Sequence, residues 1–302
     1  MNSSFFGYKS AGLEKIWLMK LILVLVKAYA SLDGIVYTGF SGGCPSAREV
    51  EADLGKIRRH TNQIRMYGNE CGQVNNALGA ISRQNLDMKV LVGLWTRDNK
   101  LDQNCDSLIQ LLKRNPSYQN HIVGVTVGNE DVYSGIPSGV VAGNIRSVRA
   151  KFGANGLGHI SVSTAEVGHM WNQELAAASD VIYANIYSFF SAGNNNIKDA
   201  ANAITLQADN LRSKFGKPIV IAETGWPSGG NYPQPHFAEP SLPNQKRFLE
   251  ILDCTARGKG YRYFVLEAFD NSAKGAPGSV ERNFGVLDPS GNLKSGALSP
   301  RC

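Results

Sequence analysis

The stretch Ile122-Val-Gly-Val-Thr-Val-Gly128 leads directly into Asn129 and Glu130. Its residues are apolar or β-branched throughout and do not alternate with polar ones. That pattern is typical of a strand in a parallel sheet that is covered on both faces. A helical pattern follows it, so the stretch predicts one β-strand–α-helix unit of a parallel series.

Runs of the same kind recur along the chain, with helical patterns between them. The candidate strands are Ile35–Phe40, Gln63–Tyr67, Met88–Leu94, Ile122–Gly128, Ile160–Ala165, Val181–Ile186, Pro218–Ala222 and Tyr261–Ala268. The helical patterns include Ala47–His60, Gln73–Arg83, Cys105–Lys113, Pro137–Lys151, Ile197–Phe215 and Pro243–Arg257. This order predicts an α/β fold, a single (β/α)8 barrel. An open dinucleotide-binding sheet is disfavoured, because the turn Gly39-Phe-Ser-Gly-Gly-Cys44 lacks the G-x-G-x-x-G spacing.

Composition excludes several classes of function. The 302 residues are 43% hydrophobic and 19% charged, which is ordinary for a globular protein. The net charge of +6 comes from scattered basic residues, so we predict no nucleic-acid partner. No apolar stretch reaches the ~18 residues of a membrane-spanning helix. We expect a monomer that needs no cofactor. We also predict no catalytic metal, because the five histidines do not cluster and no metal-ligand motif occurs.

The first 30 residues differ from the rest of the chain. Lys20 precedes the apolar run Leu21–Val26, and Ala28-Tyr-Ala30 fits a signal-peptidase site. We therefore predict a signal peptide or leader over residues 1–30, a catalytic barrel over residues 31–302, and secretion to the cell wall. The alternative is a disordered tail ahead of a first helix.

The five cysteines show no metal-type spacing, so an oxidising compartment would pair up to four of them. Cys44, Cys71 and Cys105 are placed after the first three strands, so a pair among them is geometrically reasonable. Cys254 lies late in the last helix, and Cys302 could return to meet it. We predict at least one disulfide and leave the connectivity open; five reduced, buried cysteines are the alternative.

Two glutamates stand where a barrel carries its chemistry, at the carboxyl ends of strands. Glu130 ends the fourth predicted strand and Glu223 follows the seventh, Pro218–Ala222. Each follows an apolar run, where a carboxylate is costly unless it is paired or has a function. Paired carboxyl groups across a cleft are the equipment for cleaving a glycosidic bond. A salt-bridged residue at the rim is the alternative for either glutamate.

The sequence around these glutamates resembles a known family. Ile219-Val-Ile-Ala-Glu-Thr-Gly-Trp-Pro-Ser228 resembles the segment around the nucleophile of glycoside hydrolase family 17, and Val125-Thr-Val-Gly-Asn-Glu130 resembles its acid/base strand. The likeness runs over residues 34–298. It implies a retaining enzyme on β-1,3-glucan, with Glu130 as acid/base, Glu223 as nucleophile and Asn129 near the sugar 2-hydroxyl.

Further strand-end residues are candidates for binding or support. Because pyranose faces stack on aromatic rings, we predict substrate-binding roles for Tyr37, Trp95, Tyr187, Trp226 and Phe269. Any of them could instead pack in the cap of the barrel. Arg65 resembles the family's strand-two arginine and is expected to hydrogen-bond the nucleophile, with Tyr67 beside it. Glu267 is a third inward carboxylate, expected to hold a sugar hydroxyl or to tune Glu223.

Two features resemble the fungal wall enzymes more than the plant enzymes. Glu166 and Trp171 match the fungal end of strand five, and this implies a role in binding an acceptor sugar. The short segment between strands six and seven implies a compact barrel without the extra subdomain of the plant members. Both features favour glucanosyl transfer. The alternatives are a purely hydrolytic endo-β-1,3-glucanase, a non-catalytic glucan-binding wall protein, and an enzyme for another polysaccharide.

Overall fold

The computed structural model describes residues 32–39, 43–191, 196–232, 239–299 and 302. They form one compact unit that starts at Leu32. The predicted leader, residues 1–30, lies outside the described residues. None of the described helices is long and apolar enough to cross a membrane.

Eight parallel strands close into a barrel in chain order, each hydrogen-bonded to its sequence neighbours and the first to the last. The strands are β1 (Ile35–Val36), β2 (Gln63–Met66), β3 (Lys89–Leu94), β4 (Ile122–Asn129), β5 (Val162–Val167), β6 (Ile182–Asn185), β7 (Ile219–Thr224) and β8 (Arg262–Val265). The predicted barrel is therefore confirmed. The strands read as continuous apolar runs because one face fills the barrel and the other packs under helices.

Seven α-helices of the described residues cover the barrel from outside. They are α1 (Ala47–Ile57), α2 (Gln73–Arg83), α3 (Leu101–Arg114), α4 (Ser138–Ala154), α5 (Gln173–Ala178), α6 (Ile197–Phe215) and α7 (Leu242–Lys259). The sequence patterns indicated all of them except α5, whose six residues are too few to show a helical period. Between β6 and β7 the described chain consists of a loop and α6, in keeping with a compact barrel.

The strand register is irregular where β4, β6 and β7 end. Its shifts fall between Thr126 and Asn129 against β5, between Ala184 and Asn185 against β7, and between Ile221 and Thr224 against β8. Bulges of this kind re-aim side chains at the rim of a barrel. They lie beside the two glutamates, at the carboxyl edge.

Two disulfides are present, Cys44–Cys71 and Cys254–Cys302. The first joins the loops after β1 and β2, and the second ties the C-terminus to α7. Cys105 is buried and unpaired. It lies within α3, on the side that faces the core.

Candidate active site

Glu223, on β7, is held by donors from two other strands' ends. Arg65 of β2 is fully buried and donates from Nη1 to Glu223 Oε1 over 2.6 Å, the contact expected from the sequence. The Tyr187 hydroxyl donates to the other oxygen, Oε2, over 2.9 Å. Tyr67 lies beside them, with the Arg65 guanidinium 5.0 Å from the centre of its ring. Burial raises the pKa of both tyrosines well above the usual range, so their hydroxyls remain donors. The carboxylate is thereby fixed through both oxygens.

Glu130 is placed by its backbone. It follows Gly128, which has a φ of +77°, and itself adopts a left-handed φ of +55°, a conformation that L residues seldom adopt. Its amide donates to the carbonyl of Ala165 on β5 over 2.8 Å, which holds it there. Burial and then the negative charge of Glu223 raise the pKa of Glu130 above its usual value. A carboxyl in this environment tends to keep its proton.

Asn185, at the end of β6, connects the two glutamates and was missed by sequence reasoning. Its Nδ2 donates to Glu130 Oε1 over 2.8 Å and to Asn129 Oδ1 over 3.1 Å. Arg65 Nη1 lies 3.3 Å from Asn185 Oδ1, and Arg65 Nη2 donates to Asn129 Oδ1 over 2.7 Å. The strand-end filter that selected the glutamates would have found Asn185 too, because it is a polar residue after the apolar run of β6.

The two glutamates share a cleft of about 710 Å³ at the carboxyl end of the barrel. One wall carries Tyr133, 57% exposed, with the His169 ring packed edge-on at 6.2 Å. The lining also includes Phe190, 38% exposed, against Tyr232 at 5.6 Å between ring centres. Sequence reasoning did not select His169, Phe190 or Tyr232, because they lie beyond the strand ends and the family resemblance did not single them out.

A second compartment of about 370 Å³ lies on the other side of Asn129 and includes Trp95 and Tyr67. Trp95 is half-buried, and the Arg97 guanidinium lies 4.4 Å from the centre of its ring. Because the oxygen of Asn129 accepts from Arg65 and Asn185, its Nδ2 is the group that can meet a ligand in this compartment. Lys274 borders both compartments.

The structure places three other predicted residues near the glutamates but outside the shared cleft. Glu267 is 1% exposed and accepts from Thr38 Oγ1 and Lys274 Nζ, each over 2.8 Å. It sits close enough to Glu223 for that charge to add to the effect of burial in raising its pKa. Tyr37 and Phe269 line a separate cavity of about 360 Å³. Tyr37 is buried and donates to Asp53.

The predictions that Trp171 and Trp226 stack on sugar do not survive the structure. Both are buried, at 2% and 1% exposure, and belong to the hydrophobic core. The Trp226 ring packs between Phe189 and Phe248, and its Nε1 donates to the Glu239 carbonyl. It therefore anchors the loop after Glu223. A ring enclosed on both faces offers no stacking surface, so both tryptophans act as cap core.

The predicted contact of Glu166 with an acceptor sugar is likewise not supported. Its side chain is fully buried on β5 and is not among the residues that line the cleft. One carboxyl oxygen accepts the amide of Val132 over 2.9 Å, under the turn that follows Glu130. It supports that turn from below and lies out of reach of a ligand in the cleft.

Two carboxyl groups that line one cleft of a (β/α)8 barrel, one with its pKa raised by burial and the other bound by an arginine, are typical of the glycoside hydrolase class. Residues 34–285 match the family model of the BtgE/BtgC glycoside hydrolase domain, so the chain belongs to this family.

The matched relatives have related names. A glucan endo-1,3-beta-glucosidase of Emericella nidulans is 32% identical over 289 residues, covering 85% of this chain and 43% of the relative. A probable glucan endo-1,3-beta-glucosidase of Aspergillus terreus is 30% identical over 281 residues, with the same coverage. The chain thus spans 43% of the length of these curated relatives.

Among solved structures, a glycoside hydrolase family 17 beta-1,3-glucanosyltransferase from Rhizomucor miehei superposes with a TM-score of 0.78. It is 26% identical, and the alignment covers 90% of this chain and 98% of that one. A plant beta-glucan endohydrolase has a TM-score of 0.60 at 20% identity, which shows the fold alone. The resemblance to family 17 is confirmed.

Proposed function

We propose that this protein cleaves β-1,3-glucan with retention and passes the glucosyl group to a sugar acceptor in preference to water. The observation that carries the proposal is the shared cleft, in which Glu130 and Glu223 face each other in opposite environments. The names of the family relatives and of the Rhizomucor miehei enzyme support β-1,3-glucan as the substrate.

In this mechanism each glutamate has one role per step. Glu130 donates its proton to the leaving glycosidic oxygen while Glu223 attacks the anomeric carbon, which forms a covalent glucosyl-enzyme. Glu130, now ionised, then removes a proton from the incoming hydroxyl, and that oxygen displaces Glu223. Asn129 Nδ2 is positioned to bind a hydroxyl of the glucosyl unit, so it strengthens donor binding.

The preference for transfer rests on the aromatic walls of the cleft. Phe190, Tyr232 and Tyr133 present apolar ring surface to an acceptor sugar. A bound acceptor excludes water from the anomeric carbon and favours transfer. These residues take the place of Trp171 and Glu166, which do not reach the cleft.

The site of action is proposed to be outside the cell, at the wall, and the two disulfides support an oxidising compartment.

Product analysis on a single laminari-oligosaccharide tests the proposal. Products longer than the substrate indicate transfer, and exclusively shorter products indicate the purely hydrolytic glucanase. Binding without any turnover would indicate a non-catalytic glucan-binding protein. Turnover of mannan or cellulose oligosaccharides alone would contradict β-1,3-glucan as the substrate.

A matched pair of variants tests the acceptor wall. Loss of one aromatic platform should weaken sugar stacking by about 1–3 kcal/mol, by analogy with base stacking. Phe190→Ala should therefore lower the ratio of long to short products by about 5-fold or more. Val140→Ala is the control, because Val140 is 51% exposed on α4, outside the cleft. An unchanged ratio in Phe190→Ala would remove the aromatic wall from the acceptor site.

A further inference from the structure

The segment that follows Glu130 is a short helical turn. The Ser134 amide donates to the Glu130 carbonyl and the Ile136 amide to the Asp131 carbonyl, each over 2.9 Å. The first amides of such a turn have no partner within it and must find an acceptor elsewhere. Whatever accepts them also holds the residue that starts the turn, which is Glu130.

Glu166 is that acceptor. Its Oε1 accepts the Val132 amide over 2.9 Å, and the neighbouring amides of Asp131 and Tyr133 also act to lower the pKa of this carboxyl group. A carboxylate from a neighbouring strand thus caps the positive end of the turn, where negative charge is stabilising. The residue before it, Ala165, accepts the amide of Glu130 itself over 2.8 Å. Two consecutive residues of β5 therefore hold the left-handed backbone of Glu130.

Burial of the Glu166 carboxyl group costs free energy, which indicates that the group has a function. Glu166 has no exposed surface, and burial raises its pKa to about 7, despite the amide hydrogen bonds and with a further contribution from the charge of Asp131. An apolar side chain would avoid that cost but would leave the Val132 amide without its acceptor.

The opposite side of the turn is also closed. The Asp131 carboxylate packs against Gly128, where a Cβ would collide with it. Thr96 donates to the same carboxylate. The backbone around Glu130 therefore has little freedom to adopt another conformation while its contacts with β5 are kept. Removal of Glu166 removes one of those contacts.

We propose that Glu166 is a positioning residue for the acid/base, which it holds by capping the Val132 amide at the start of the turn. The proposal rests on the assignment of Glu130 as the acid. It predicts that loss of the cap impairs the proton-donation step and leaves nucleophilic attack by Glu223 intact.

Two substrates separate these steps. Departure of a sugar needs the acid, whereas departure of dinitrophenolate does not, and kcat/KM reports glycosylation for both. Glu166→Leu should lower kcat/KM on laminarihexaose about 10- to 100-fold, the scale of an ångström-size misplacement. On dinitrophenyl β-laminaribioside it should change less than about 2-fold. Glu166→Gln keeps one acceptor oxygen, so it should retain most of the wild-type kcat/KM on laminarihexaose. This variant can be measured even if Glu166→Leu does not fold.

The control is Asp253→Asn, which alters another buried carboxylate, 3% exposed on α7 and bound to Tyr263 and Arg257. It should change neither kcat/KM. Equal losses of Glu166→Leu on both substrates, or none on either, would overturn the proposal.

Hydrogen exchange supplies a readout that is independent of activity. The amides of residues 131–136 should exchange faster in Glu166→Leu than in the wild type and in Asp253→Asn. Unchanged exchange there would overturn the positioning role. A wild type inactive on laminari-oligosaccharides would instead refute the proposed function, and hydrogen exchange would still decide whether Glu166 caps the turn.

Discussion

The ends of β7 and β4 carry the same kind of residue but hold it by different means. Glu223 on β7 is fixed by side chains from elsewhere in the barrel, with Arg65 and Tyr187 donating to its two oxygens. Glu130, after β4, is fixed by its backbone and by the cap from Glu166, and it receives a side-chain donor from Asn185. Two identical carboxyl groups acquire different chemistry from their surroundings.

The difference fits the proposed division of roles between the two glutamates. A nucleophile must keep its orientation while it carries charge, and charge-assisted hydrogen bonds provide this. An acid must hold a proton at the working pH, and burial beside another carboxylate provides that. Variants that each remove one of these contacts or carboxyl groups test the contrast between the two glutamates.

Removal of the carboxyl groups themselves should have the largest effect. Glu223→Gln should lower turnover of laminari-oligosaccharides by about 10⁴-fold or more, because the covalent path is lost. Glu130→Ala should lower it by about 10²- to 10⁴-fold. Azide should partly rescue Glu130→Ala alone and yield a β-glucosyl azide, because Glu223 still forms the intermediate. Glu51→Gln, at the surface, is the control. An α-azide from Glu130→Ala would reverse the assignment.

Replacement of Arg65 should have the next largest effect. A lysine cannot reach Glu223, Asn129 and Asn185 together, because it lacks the planar fork of the guanidinium. We expect Arg65→Lys to lower kcat by about 10²-fold through a misplaced nucleophile. Arg83→Lys is the matched control, because the Arg83–Glu51 pair is exposed and such pairs contribute about 0–1 kcal/mol. Near-normal kcat in Arg65→Lys would show that Glu223 is positioned without the fork.

Loss of Asn185 should move the pH profile. Its hydrogen bond lowers the pKa of Glu130, so Asn185→Ala should raise that pKa further. Because Glu130, as the proposed acid, would act in its protonated form, the alkaline limb of kcat/KM should move to higher pH. Tyr187→Phe, which removes a donor from Glu223 instead, should leave that limb in place. A downward shift in Asn185→Ala would contradict the assignment of this limb to Glu130.

The smallest effect concerns stability on the Glu130 side. The folded-state pKa of Glu166, about 7, lies above its ordinary value of 4.5. Stability that is fully present below pH 4.5 is therefore lost as pH rises through 7. The wild type should lose up to about 3 kcal/mol more of its unfolding free energy than Glu166→Gln between these values. Urea denaturation of both proteins at pH 4.5 and 8 measures this, and parallel changes would show that Glu166 does not titrate in the fold.

The barrel and the positions of the two glutamates could be predicted from the sequence alone. Parallel strands are apolar on both faces and recur with the βα period, so their ends can be located from local composition alone. Glu130 and Glu223 stand out because a charged residue directly after such a run is seldom incidental. The partner Arg65 followed from family resemblance, and Asn185 was open to the same local test.

The sequence did not predict which aromatic rings face the cleft or how the cysteines pair, and both became known from the tertiary structure. Trp171 and Trp226 lie on the segments after β5 and β7 and are buried, whereas Phe190, on the segment after β6, is exposed. Exposure after a strand end depends on how loops from different strands pack on one another, and no local pattern encodes that packing. For the same reason Glu166 could be located at a strand end from the sequence, but its contact with the turn of Glu130 could not. Contacts between separate strands require the closed barrel.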